Sequence, residues 1–224
     1  MLSTPEVVNK NYDLIYEPAE DTFLLLDLFE ELQPYFVTKK FNHKTPLVVE
    51  IGTGSGIVST FINKYILPKS VIISTDLNPH SCVSLISTNK HNNPQSSNLD
   101  AIRTDLVSGF HNNSIDILVF NPPYVPAEYI PSVEDAEKNE YNWVDIALNG
   151  GPEGMDITNK LLDRLDQCMS VDGEAYILFC ARNKPDVVVE QFKRKNNSNF
   201  SVERVIHRKA GWEELSVYKF QKLR

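Results

Sequence analysis

The 224-residue sequence predicts an α/β fold: a seven-stranded, mostly parallel sheet with helices on both faces and an antiparallel last strand. Three observations carry this. Short β-branched and aromatic runs alternate with longer stretches of helical periodicity, the pattern of a parallel sheet covered on both faces. The final run, 215–220, alternates apolar and polar residues, as an antiparallel strand with one wetter face does. Hydrophobic residues make up 42% of the chain, enough for one domain with a sizeable core. Residues 1–45 read as an N-terminal arm and helix packed on a core built from 46–224.

Taken in order, the first helix is expected over 20–32, stopping before Pro34. Residues 47–51 form the first strand, and a glycine cluster leads from it into a helix over 57–65. The second strand is 71–75. Asn78 then caps a helix over 79–89, with Pro79 at its first position. A weaker third strand, 101–104, is expected near a sheet edge, and 115–120 is the fourth. The connection from Tyr124 to Asp156 has little secondary-structure signal; loops so long are usually functional or disordered. Ile157, Leu161, Leu162, Leu165 and Met169 share a helical face, predicting a helix over 156–169. A strand over 175–180, a helix over 185–193 and strands over 200–205 and 215–220 complete the chain. The Asn92-Asn93 and Asn196-Asn197 pairs are expected in loops.

The net charge of -8 argues against a strongly cationic nucleic-acid binder. The charge is uneven: residues 191–224 carry nine Lys or Arg and three Glu, whereas 124–145 carries six acidic residues against Lys138 alone. Solvated surface explains both; steering of a charged partner is the sharper alternative. No apolar run approaches the roughly 20 residues of a membrane-spanning helix, and the N-terminus has no signal-peptide stretch. Cys82, Cys168 and Cys180 form neither a disulfide framework nor a metal-ligand pattern. The expected location is a reduced intracellular compartment, the cytoplasm and also the nucleus.

The first strand ends in Glu50-Ile51-Gly52-Thr53-Gly54-Ser55-Gly56 before a helix. Glycines there allow φ > 0 and let a ligand approach the backbone. The spacing is GxGxG, unlike the GxGxxG of dinucleotide sites, and no GxxxxGK[ST] phosphate cradle is present. Asp76, 24 residues after Gly52 at the end of the second strand, is placed to accept both hydroxyls of a ribose. Asp105, after the third strand, is placed to take an adenine amino group. A ligand with ribose and adenine but no pyrophosphate suits this Rossmann-like arrangement, which points to S-adenosylmethionine; a tight structural turn is the bland alternative.

The fourth strand runs into Asn121-Pro122-Pro123-Tyr124. Two prolines fix φ and remove N–H donors, making a rigid corner. Such a corner presents the Asn121 side-chain oxygen and the Pro122 carbonyl to one planar NH₂ group, while Tyr124 stacks on a flat substrate. A delocalised nitrogen is a poor nucleophile, so two acceptors that orient it toward a methyl donor catalyse by positioning and electrostatics, and the proton leaves to water. A proline-rich loop after a strand is the plainer reading.

These two motifs resemble class I S-adenosylmethionine-dependent methyltransferases that act on amino groups. Tyr16-Glu17-Pro18-Ala19-Glu20-Asp21-Thr22 is similar to the N-terminal signature of the eukaryotic and archaeal HemK-like members, and Asn149-Gly150-Gly151-Pro152-Glu153-Gly154 and the stretch from Ala210-Gly211-Trp212 through Val217 also look familial. Helix capping by Asp21 and Thr22 is a compatible reading of the signature. The resemblance spans essentially the whole chain and makes 46–224 the methyltransferase domain. With about 45 residues before the first strand, the chain is expected to lack the helical domain that precedes bacterial HemK proteins.

The resemblance implies N5-methylation of the glutamine in the Gly-Gly-Gln motif of the class I translation termination factor, alone or with its GTPase partner. It implies that Thr22 closes over the methionine end of the cofactor, that Glu50, Gly52 and Gly54 flank that end from the glycine turn, and that Asp76 holds the ribose. It gives Asp105 and the Leu106 backbone to the adenine. Asn121, Pro122, Pro123 and Tyr124 take the substrate, with Asn121, Pro122 and Tyr124 at the reaction centre and Asn121 also beside the cofactor. It further implies a small zinc-binding activator subunit as partner in a heterodimer, the zinc belonging to the partner. Lysine methylation, adenine N6-methylation of nucleic acid and a non-catalytic cofactor-binding scaffold remain alternatives. A lysine ammonium must first lose a proton that Asn121 cannot take, and the overall charge disfavours nucleic acid.

Overall fold

Val48, Val49 and Ile51 are buried in β1 (Leu47–Ile51), and the chain is built outward from that strand. In a computed structural model, which describes residues 2–8, 10–41, 44–196 and 199–224 (of Lys39 only the backbone), β1 pairs in parallel with β2 (Val71–Asp76) on one side and β4 (Ile115–Phe120) on the other. β3 (Leu99–Arg103) extends the sheet beyond β2. Beyond β4 lie β5 (Met169–Cys180), β7 (Glu213–Lys222) and β6 (Phe200–Ala210), giving the order β3-β2-β1-β4-β5-β7-β6. Only β7 runs against the rest, pairing antiparallel with both β5 and β6. The strand order reverses between β1 and β4, the switch point where ligands settle in open α/β sheets.

Helices cover both faces. On one face α1 (Glu20–Tyr35) and α2 (Ile57–Phe61) bury Leu24, Leu25, Phe29 and Phe61 against Tyr176, Leu178 and Val217 of the sheet. On the other, α6 (Asp156–Leu162), α7 (Leu165–Cys168) and α8 (Pro185–Lys195) bury Leu161, Leu165 and Phe192 against Ile177, Phe179 and Phe220. α3 (Pro79–Asn92) lies beside β3, and Asn78 caps it by accepting from the His80 N–H at 2.9 Å.

Several boundaries differ from the sequence reading. α1 runs through Pro34 and opens into a π-type turn over Phe36–Lys40, because the chain continues inward to bury Phe36 completely. The expected helix over 156–169 breaks after Leu162, and Met169 instead opens β5, registered with Ile115. Burial of Met169 in the sheet outweighs the helical periodicity that ran through it. The Tyr124–Asp156 connection holds two helices, α4 (Val133–Lys138) and α5 (Asn142–Leu148). A capping box starts α4: Ser132 Oγ accepts from the Asp135 N–H at 3.1 Å and Asp135 Oδ2 from the Ser132 N–H at 2.9 Å. Over 215–220 β7 is covered on both faces, since Leu215 and Val217 enter one core cluster and Tyr218 and Phe220 the other, and even Ser216 is buried. Asn92 sits within α3, its Nδ2 donating to the Glu6 carbonyl at 2.8 Å and so tying the N-terminal arm; Asn197 lies outside the described residues.

Six of the nine cations in 191–224 are spent on intramolecular ion pairs, among them Lys195–Asp163 and Lys219–Glu203, both at 2.6 Å. That agrees with the solvated-surface reading of the basic segment.

Candidate active site at the carboxyl edge of the sheet

Sheet register brings the site together. Ile51 is paired with Phe120 on one side and Thr75 on the other. One residue further along, Gly52, Asn121 and Asp76 must therefore stand side by side. A Cβ built on Gly52 would meet the Asn121 carbonyl and the Phe120 ring at 3.9 Å, an ordinary van der Waals contact, so the glycine turn lies directly against the Asn-Pro-Pro-Tyr corner. Asp76 in turn pairs with Arg103 and accepts the Thr104 N–H on its carbonyl at 3.1 Å, placing Asp105 and Leu106 next in the row.

A cavity of about 520 Å³ lies over this edge. Thr22, Glu50, Gly52, Gly54, Asp76, Asp105, Leu106, Asn121, Pro122, Pro123 and Tyr124 all line it. Every site residue read from the sequence is thus on one wall.

The glycine turn needs its glycines: Gly52, Gly54 and Gly56 have φ of 68°, 52° and 81°. Asp76 holds the turn from below, accepting from Gly54 N–H on Oδ2 at 3.1 Å and from Asn78 N–H on Oδ1 at 2.9 Å. Burial raises the Asp76 carboxyl above its ordinary value, and these backbone donors pull the other way. Glu50 is buried, and one oxygen, Oε2, takes Thr53 Oγ1 at 3.1 Å, Ser59 N–H at 3.2 Å and the Ser59 hydroxyl. None of these donors reaches Oε1. Desolvation pushes its pKa up to about 7 despite the donors, a carboxyl short of a cation.

The residue that sequence reasoning missed is Asp21. It is 3% exposed and accepts five hydrogen bonds. Oδ2 takes Tyr16 OH at 2.8 Å, Asn121 Nδ2 at 3.0 Å and Tyr124 OH at 3.3 Å. Oδ1 takes the Thr22 N–H at 2.6 Å and Thr22 Oγ1 at 3.2 Å. Burial first, and then the Asp21 charge, hold the Tyr16 and Tyr124 hydroxyls far above their usual range, so both act as donors. Since a carboxylate offers only acceptors, the Asn121 amide must turn its nitrogen to Asp21. Its oxygen, Oδ1, is left buried with no donor among the described residues. Tyr124, expected as a stacking platform, has its hydroxyl turned to Asp21 and, at 3.4 Å, to Glu213.

Comparison with known proteins gives the chain its family. The Methyltransferase small domain model matches residues 32–132. "eRF1 methyltransferase catalytic subunit mtq2" of Schizosaccharomyces pombe is 33% identical over 100% of this chain and 97% of its own length. "Methyltransferase HEMK2" of Homo sapiens is 31% identical over 93% of this chain and 90% of its own. The chain belongs to the Mtq2/HEMK2 family of methyltransferases. Among solved structures, that of the E. cuniculi Mtq2–Trm112 complex, described as methylating the eRF1 translation termination factor, shares the fold at a TM-score of 0.66 and 23% identity, covering 93% of this chain and 98% of that one.

In this Mtq2/HEMK2 chain the Asn149–Gly154 segment has a definite task. A Cβ on Gly150 would sit 2.3 Å from the Pro123 carbonyl, and one on Gly154 would sit 2.1 Å from the Tyr124 carbonyl. Asn183 Nδ2 donates to that Tyr124 carbonyl at 3.1 Å, and Val125 N–H to Leu148 O at 3.0 Å. The glycines let one loop press flat against the back of the Asn-Pro-Pro-Tyr corner. α4 and α5 close the opposite wall with Val133, Trp143 and Ile146, an apolar surface whose sequence signal was the Ser132–Asp135 capping box.

Proposed function

We propose that the chain transfers a methyl group from S-adenosylmethionine to the side-chain amide nitrogen of a protein glutamine, that of the Gly-Gly-Gln motif in the class I translation termination factor. The observation that carries this is Asn121 Oδ1, a buried acceptor without a donor, held in place by Asp21 beside the glycine turn. Of the six buried side-chain atoms left without a partner among the described residues, Asn121 Oδ1 is the one whose residue lines the cavity, where an N–H can arrive with a ligand. The names of the full-length relatives support the same substrate.

The residues present fit the cofactor. Gly52 and Gly54 line the cavity, and a Cβ built on either meets no protein atom closer than 3.8 Å. Glu50 offers a buried carboxyl to an α-ammonium, Asp76 a carboxyl to ribose hydroxyls, and Asp105 with the Leu106 backbone an edge to adenine. When bound, S-adenosylmethionine supplies an electrophilic methyl carbon on a sulfonium. Asn121 Oδ1 and the Pro122 carbonyl accept the two amide hydrogens and fix the plane of the acceptor nitrogen. The proline corner keeps the Pro122 carbonyl from turning away, and the bond to Asp21 does the same for Asn121 Oδ1, so little is reorganised during reaction. Neither group is a base, and the surplus proton goes to water.

The proposal includes a small activator subunit, which binds zinc itself, on the β3 edge. β3 is the last strand on its side of the sheet. Ile102 on it is 40% exposed and Val83 on α3 60% exposed, an apolar margin next to an unpaired strand edge. The substrate is the termination factor, alone or with its GTPase partner, and the place of action is the cytoplasm and nucleus.

The deciding experiment is methyl transfer to purified termination factor, either wild type or with the Gly-Gly-Gln glutamine changed to asparagine. Label on the wild type alone is expected; equal label on both would exclude glutamine as the acceptor. Co-expression with the activator should convert a poorly soluble chain into a soluble, active one.

A further inference from the structure

We propose that the β6–β7 hairpin, with Trp212 at its tip, and the start of α1 form a groove for the extended polypeptide that flanks the methylated residue. This rests on the reading of a protein glutamine as acceptor and says where its chain runs.

Topology puts the hairpin at the site. Leu215 is registered with Cys180, the last residue of β5, so the turn at 211–212 stands at the carboxyl edge of the parallel strands with Gly52 and Asn121. Between that turn and α1 lies a second cavity of about 340 Å³. Ala19 forms one side, Ala210 and Gly211 the other. Tyr16, Asp21 and Tyr124 line both this cavity and the main one, so the two meet at the hub that orients Asn121. With the main cavity's Glu50–Asp105 wall given to the cofactor, this is a route by which a chain can reach Asn121.

The hairpin is fixed at its base and bare at its tip. Arg208 is ion-paired with Asp27 and with Glu20, at 3.6 Å in the second case, which locks β6 to α1. At the tip Gly211 takes a φ of +59° with nothing within 4 Å of a built Cβ, and Trp212 is 97% exposed. A fully exposed indole beside an opening into a reaction site has the character of an interface anchor. Ala19, Ala210 and Gly211 leave room for a backbone with small side chains, which the glycines ahead of the target provide, and Glu20, Lys209 and Glu213 add charged groups to the same walls.

The test uses the chain co-expressed with its activator and full-length termination factor. Trp212→Ala should raise KM for the protein substrate about tenfold, while kcat and cofactor Kd move by less than about twofold. A photo-crosslinking benzoylphenylalanine at Trp212 should attach to residues next to the Gly-Gly-Gln glutamine, and the same group at Val171, exposed at the far end of β5, should not. Unchanged KM, or equal crosslinking from both positions, overturns the groove. Absence of transfer by the wild-type complex overturns the functional reading and the groove with it.

Discussion

Asp21 and Asn121, a hundred residues apart in the chain, are joined by one hydrogen bond, Nδ2 to Oδ2 at 3.0 Å. That bond decides which way the Asn121 amide faces, and so makes Oδ1 the acceptor available to a substrate. Asp21→Asn replaces a pure acceptor with a group that can donate, and the Asn121 amide is then free to turn over. We expect kcat to fall about a hundredfold, the scale of a small misplacement of a positioning group. Cofactor affinity by calorimetry should hold. A kcat within twofold of wild type would show that Asp21 does not set that orientation.

Asn121→Ala removes the acceptor itself. Transfer should be abolished while cofactor affinity stays within about tenfold, a change of no more than roughly 1.4 kcal/mol. A much larger loss of affinity would mean that Asn121 serves the cofactor first.

Asp76 has two tasks, holding the glycine turn through Gly54 and facing the cavity. Asp76→Ala should weaken cofactor binding about ten- to a hundredfold, as expected for losing hydrogen bonds to a charged group. Isothermal titration with S-adenosylmethionine measures it, and unaltered affinity would contradict the ribose assignment.

Glu50 predicts a pH dependence. In the folded chain its carboxyl is raised to about 7 from an ordinary 4.5. Below the ordinary value it is protonated in both folded and unfolded states and costs nothing. Between the two values the unfolded chain releases the proton that the folded chain retains, so stability falls as pH rises. Above 7 the penalty levels off at about 3 kcal/mol. Glu50→Gln should therefore be more stable than wild type at pH 8 without cofactor, and the two should converge at pH 4. A cationic ligand group next to Glu50 reverses the preference, so cofactor binding to the wild type should release a proton between pH 5 and 7, read by calorimetry in buffers of different ionisation enthalpy.

Gly150 tests the corner from behind. Its φ lies outside the left-handed region, so Gly150→Ala acts through close approach, 2.3 Å to the Pro123 carbonyl and 2.7 Å to that of Gly154. Thermal unfolding should show a loss of about 1–3 kcal/mol. Transfer should suffer more than cofactor binding, because the carbonyl that must move belongs to the acceptor side. Normal stability with normal transfer would mean that the loop yields freely.

Much of this was legible in residues 47–124. The central strands, the glycine turn, Asp76 and the Asn-Pro-Pro-Tyr corner are local features: β-branched runs, residues that tolerate positive φ, prolines that fix it, and carboxylates at strand ends. Parallel strands ending in such features put them on one edge whatever the details of packing. Less legible was 124–156, where the apolar residues follow no sustained period and α4 depends on the Ser132–Asp135 box and α5 on burying Trp143. Met169 read as helix because its periodicity was helical, and became strand because the sheet offered it burial.

The amino-acid order alone determined the sheet, its carboxyl-edge site and the residue types in that site, since each follows from backbone preferences over a few positions. The tertiary structure alone decided that Asp21 meets Asn121, that Gly150 lies against Pro123, and that the β6–β7 turn stands beside them. Those contacts depend on strand register and on the packing of segments far apart in the chain, and no local periodicity encodes either.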